Sequence, residues 1–233
     1  MNVIRHHEGW ILVGLLVVFL GVNLITGSRS PTVWTDEVAY ADPAINWVQN
    51  GTFTSTAWEV QRSNEHWAGN VPLYQWLLSA WLSVFGVSIT AVRALGYVLA
   101  ALAVGVLWWA LRRTGWMPSP TVRLVMALVL LSGYGITYGY RAGRPDMLGF
   151  LLLSGAAWTW TLKRPETRYG LLGLIGALLP WAGLQFVPFA ALLVGIGLFA
   201  APGAFARVSG ALSLGAGVGA GALFGYYRYH GVW

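Results

Sequence analysis

WILVGLLVVFLGVNLI, residues 10–25, decides what solvent this chain is built for. The run holds no charged side chain and follows a short Arg5-His6-His7 head. A segment of that kind is either a cleaved leader or a first membrane helix. The residues after it, Thr26-Gly27-Ser28-Arg29-Ser30-Pro31, make a poor small-x-small cleavage site, and more apolar segments come later. The expectation is an uncleaved signal anchor over residues 10–27, with its N-terminus on the cytoplasmic side.

Composition extends the same conclusion to the whole chain. Hydrophobic residues make up 57% of the 233 positions and charged residues 9%, with a mean hydropathy of +0.61; a soluble domain carries roughly 25% charge. Long apolar runs rich in Gly and Trp, divided by short Arg-bearing loops, suit helices that satisfy their backbone groups internally because lipid offers no partners. The expected class is an all-α polytopic membrane protein. Net charge is +6, but the basic residues stand singly or in pairs at segment ends, never in a run interleaved with aromatics, so nucleic acid is not implied. The absence of Cys excludes a disulfide framework, thiolate catalysis and Cys-ligated zinc, and the four His show no metal-ligand spacing. A divalent cation, if one serves, would have to sit on carboxylates.

One long polar stretch follows the anchor. Residues 28–70 hold five of the eight acidic residues together with Trp34, Trp47, Trp58 and Trp67. Segments long enough to span follow at 91–111, 121–138 and 145–162, and two shorter ones, 169–179 and 187–199, flank Pro180-Trp181-Ala182-Gly183. The last, 208–226, carries Gly215, Gly217, Gly219 and Gly221, small enough to admit a neighbouring helix closely. Arg112, Arg113, Arg123, Lys163, Arg164, Arg168 and Arg207 lie in loops that the positive-inside bias assigns to the cytoplasm. That assignment requires one of the apolar segments 71–86 and 91–111 not to cross. Residues 71–86 are the better interfacial helix: Pro72-Leu73-Tyr74-Gln75-Trp76 has a membrane-belt composition and Gly86-Val87-Ser88 offers a break. About seven crossings of ~20 residues result. They divide one membrane domain into the anchor, an outer loop with juxtamembrane helices over 28–90, and a helical bundle over 91–233. The loops at 28–70 and 140–146 then share the outer face.

Several residues on that face could carry chemistry. In Asp36-Glu37, one carboxylate can accept the proton of a hydroxyl while its neighbour orients the acceptor or holds a cation, although polar loops also carry acids for no such reason. Arg141-Ala-Gly-Arg144-Pro-Asp146 puts two Arg on the side where positive charge is sparse, which an anion such as phosphate would explain. Pro145-Asp146 is also an ordinary helix start, and Asp146 can cap that helix or pair with an Arg. Arg93, early in an apolar helix, either snorkels to the interface, the simpler expectation, or reaches an anion in a cavity. His66 to Pro72 could form a polar lip with a Pro-defined turn, and Gln185, between Gly183 and Pro188, would bond backbone freed in a broken helix.

The order of these features resembles the GT-C glycosyltransferases of the dolichyl-phosphate-mannose protein mannosyltransferase type, which include the lipid A aminoarabinose transferases and the RgtA/B/C/D-like group. The resemblance rests on Trp34-Thr35-Asp36-Glu37-Val38-Ala39-Tyr40, on Gly69-Asn70-Val71-Pro72-Leu73-Tyr74, on Phe85-Gly86-Val87-Ser88 with Arg93, and on Arg141 to Met147, in that order. It implies a bacterial cytoplasmic (inner) membrane enzyme with an outward-facing site. The donor would be a polyprenyl-phosphate sugar and the acceptor a glycolipid, polysaccharide or protein. It further implies that Asp36 is the catalytic base supported by Glu37, that Arg141, Arg144, Arg93 and Asp146 surround the lipid phosphate, and that His66, Pro72, Tyr74 and Gln185 line the site. Any divalent cation would fall to Asp36 and Glu37. Members of the family continue with more helices and commonly carry a Lys or another polar residue in the broken helix, where Gly183-Leu184-Gln185 stands here. The chain is therefore expected to be an N-terminal half, active with a C-terminal half or a partner, or else an inactive remnant. A transporter is the rival from another class, but its helix interiors would need facing ionisable groups, and these helices are almost free of them.

Overall fold

The structure, a computed structural model, describes residues 2–57, 61–188, 190–192 and 202–232. Trp58, Glu59 and most of the segment 187–199 lie outside the described residues. Among those described, every regular element is a helix. In chain order they are α1 (Asn2–Thr26), α2 (Thr35–Asn50), α3 (Leu73–Phe85), α4 (Ile89–Thr114), α5 (Pro120–Ser132), α6 (Tyr134–Arg141), α7 (Asp146–Thr159), α8 (Pro165–Ala182) and α9 (Pro202–Tyr229).

Three described helices are long and apolar enough to cross a membrane: His6–Thr26, Ile89–Thr114 and Ala206–Tyr229. A fourth results if α5 and α6, bent by 51° at their junction, form one span. The protein is therefore all-helical and membrane-embedded. At ~1.5 Å per residue, the 13 residues of α3 reach ~20 Å and the 14 of α7 ~21 Å, short of the ~30 Å hydrocarbon layer.

Local chemistry sets the breaks. Gly86, at φ +78, ends α3 in the left-handed region, and the Ser88 hydroxyl caps α4 by accepting from the Ala91 N–H at 3.1 Å. Pro120 opens α5 behind Ser119, whose hydroxyl accepts from Val122. At the α5/α6 bend the Leu131 carbonyl is taken up by the Tyr140 hydroxyl at 2.8 Å, so the kink leaves that group satisfied.

Two compact units divide the chain. The first, residues 1–38 and 81–161, packs α1, α5, α6 and α7 around α4, the most buried of the three long spans. Gly96 lets α6 come down onto α4, since a Cβ there would stand 2.8 Å from the Tyr140 carbonyl. The second, residues 39–80 and 162–233, is built on α8 against α9, with the Trp181 indole donating to the Gly219 carbonyl at 2.9 Å. Val71, Leu223 and Tyr227 form a small core there.

Candidate functional site

The end of the first unit where α1 finishes and α4 begins gathers three carboxylates and three guanidinium groups. Asp36 and Glu37 occupy the first turn of α2, where the partial positive charge of a helix N-terminus favours them. Glu37 is buried and Arg93, on α4, is fully buried; they form a two-pronged pair, Nε to Oε1 and Nη2 to Oε2, both 2.6 Å. The remaining Nη1 donates to the carbonyls of Gly27 and of Pro31, the latter at 3.0 Å. Arg93 thus does not snorkel, as its place near a helix start suggested. An inward carboxylate with two main-chain carbonyls neutralises it where it stands, which relieves the need to reach water.

Above this sealed pair lies an open layer. The turn between α6 and α7 reverses at Gly143, φ +59, where a Cβ would stand 3.2 Å from Glu37 Cγ, so this turn rests directly on the buried carboxylate. Arg144 donates from Nη1 to Asp36 Oδ2 at 2.6 Å and from Nε to Asp146 Oδ2 at 2.8 Å, and its guanidinium sits 5.4 Å from the Tyr138 ring centre. These side chains stay reachable from solvent: Asp36 is 44% exposed, Asp146 29% and Arg144 24%. Of the two roles open to Asp146, pairing with an arginine is present. Arg141 donates from Nε to Asn23 Oδ1 at 2.9 Å and from Nη2 to the Thr26 hydroxyl; Asn23 is held in turn by its own bond to the Phe19 carbonyl.

The other end of the same unit carries a second buried pair. Arg123 donates to both oxygens of Glu8 at 2.7 Å, and the Trp108 indole joins them at 2.7 Å. Along α1 the rise from Glu8 to Thr26 is ~27 Å, close to a hydrocarbon thickness. Each ionic cluster therefore marks one end of the apolar span.

Six of the residues singled out from sequence, Asp36, Glu37, Arg93, Arg141, Arg144 and Asp146, come together at this one end. The other four belong to the second unit. His66 meets Tyr226 and His230, Pro72 precedes α3, Tyr74 is fully buried, and Gln185 is exposed with its amide folded over Gly183. Sequence reasoning missed Glu8, Asn23, Tyr138 and Gly143. For Glu8 and Asn23 a signal existed, a polar side chain within or against an apolar run. Among the described residues no three His, Cys, Asp or Glu gather as a metal would require, and Glu37 is committed to Arg93 through both oxygens. Comparison with protein-family models, with curated proteins and with solved structures returned no match.

Proposed function

We propose that the chain is a membrane glycosyltransferase of GT-C type, taking a sugar from a polyprenyl-phosphate donor at the outer face of a bacterial cytoplasmic membrane. The observation that carries this reading is Arg144, a part-exposed guanidinium held between two part-exposed carboxylates above a sealed ion pair. Guanidinium binds phosphate by two parallel N–H bonds, and an entering lipid phosphate can take the place of a carboxylate on it. Arg141, on the same turn, adds a second positive charge. Arg93, whose donors are spent on Glu37 and main-chain carbonyls, positions the turn and does not dock the donor.

Exchange of phosphate for carboxylate on Arg144 frees Asp36 to act as general base. The acceptor oxygen attacks the anomeric carbon, its proton passes to Asp36, and the bond from that carbon to the phosphate oxygen breaks. Polyprenyl phosphate leaves with the bonding pair, and the guanidinium groups stabilise its growing charge. Attack opposite the leaving group inverts the anomeric centre. A carboxylate in water is a feeble base, so the step needs a shielded site with the hydroxyl in hydrogen-bond reach. The reading keeps the expectation of about seven crossings, with α3 lying in the interface. No step is routed through a metal.

The test is release of polyprenyl phosphate from a labelled polyprenyl-phosphate sugar by the protein in liposomes, with a lipid and glycan extract as acceptor source. Asp36→Asn should lower turnover by on the order of 100-fold or more while donor binding persists, and Arg144→Gln should weaken donor binding itself. Turnover untouched by Asp36→Asn would remove the role given to that residue.

A further inference from the structure

In the second unit, the loop 61–68 and residues 230–232, just after α9, enclose a cleft of about 620 Å³, within the roughly 300–1,000 Å³ of ligand-binding pockets. Its walls are fixed from behind. The Gln61 amide bridges its own loop, donating to the His66 carbonyl and accepting from the Ala68 N–H at 3.1 Å. His66 is tied to the Tyr226 hydroxyl at 2.8 Å and stacks on His230 with ring centres 3.8 Å apart. Trp67, fully buried, hangs from the Phe53 carbonyl at 2.8 Å, and the Tyr227 hydroxyl holds the Asn70 carbonyl at 2.6 Å. The cleft is preformed, so a ligand need not order it.

Its chemistry narrows the ligand. No Lys or Arg is among the lining residues, which argues against an anion. The apolar part is Ala68 and Val232, too little for an acyl chain. The two imidazoles lie face to face at 9°, so their nitrogens do not converge on a shared metal. What the cleft presents is the Asn64 amide, imidazole edges, the main chain at Gly231 and the Glu65 carboxylate, which at the rim also accepts from the Arg62 N–H at 3.4 Å and lies 3.9 Å from the exposed Arg62 guanidinium. An amide and a carboxylate side by side match adjacent hydroxyl groups, which both donate and accept.

We propose that this cleft binds a short neutral carbohydrate. The binding does not depend on the transferase reading above.

Fluorescein-labelled mannotetraose and chitotetraose, titrated onto the protein in lipid nanodiscs and followed by polarisation, test it; a maltoside detergent would compete. Asn64 and Glu65 are exposed, so their replacement leaves the packed loop intact. At least one probe should bind, and Asn64→Ala and Glu65→Ala should each weaken it about tenfold, the effect of losing ~1.4 kcal/mol. Asp36→Asn should bind the probe like the native chain, so a failure of the catalytic reading is seen in turnover alone. If neither tetraose binds, if binding ignores both cleft substitutions, or if a sulfated tetraose is preferred, the proposal is overturned.

Discussion

Glu37 and Arg93, 56 positions apart in the chain, meet through two 2.6 Å bonds in a place water does not reach. Two charges in that setting are tolerated only as a pair, because either alone keeps its full desolvation cost. Glu37→Gln or Arg93→Met alone should therefore cost about 3–5 kcal/mol, while the double substitution should cost clearly less than the two singles together. Unfolding followed by tryptophan fluorescence in nanodiscs measures all three. Additive losses would mean that the pair is not coupled.

Much of this arrangement was visible in the sequence, and the remainder had a physical reason to stay hidden. Apolar runs located the long helices, and Gly86-Val87-Ser88 marked the break between α3 and α4, because such signals act over one or two turns, whereas the bend between α5 and α6 inside the run 121–138 gave none. The acidic pair and the arginine turn were also legible, since charge beside an apolar run stands out. Which charge meets which was not. Arg93 could be seen at the start of a helix, but its partner lies on another element, and only the packing of α1, α2 and α4 brings Glu37 beneath Gly143. For the same reason Glu8 gave no hint of Arg123, 115 positions away.

The glycines of α9 show a finer limit. All four of Gly215, Gly217, Gly219 and Gly221 suit close approach, yet Gly215 and Gly219 alone among them face α8, one helical turn apart. A Cβ at Gly215 would collide with the Gly173 carbonyl and one at Gly219 with that of Ala177, whereas at Gly217 and Gly221 it would meet nothing within 4 Å. Gly219→Val and Gly215→Val should each lower stability by about 1–3 kcal/mol or more. Gly217→Ala and Gly221→Ala should be neutral or slightly stabilising, and the same fluorescence unfolding distinguishes the two faces.

His66 should give the loop 61–68 a dependence on pH. Burial, helped by the neighbouring His230, pushes its pKa down from the ordinary 6.5 to about 4. The released loop therefore takes up a proton between those values that the packed loop refuses. Stability from packing the neutral ring is fully present above pH 6.5 and declines as pH falls toward 4. Hydrogen exchange over residues 61–68, corrected for intrinsic rates, should be faster at pH 5 than at pH 7. His66→Gln should abolish the difference, and equal protection of the native loop at both values would contradict the burial of a neutral ring.

Sidedness is the condition on which the catalytic proposal stands, and the chain suits its measurement because it contains no Cys. Single cysteines introduced at Ser28 and at Val87, both exposed and the latter in the break just before α4, report the end where Arg144 meets Asp36. One at Trp116, exposed beside the Glu8 and Arg123 pair, reports the opposite end. With ~27 Å of α1 between the two ion clusters, the first two positions should react with a membrane-impermeant maleimide added outside intact cells. The third should react only after the membrane is opened. A donor carried in the bilayer with its phosphate at the outer surface can reach Arg144 in that arrangement and in no other, since charge does not cross hydrocarbon unpaired. Labelling of Trp116Cys from outside, with Ser28Cys protected, would turn the site toward the cytoplasm and leave a different donor and a different chemistry to be sought.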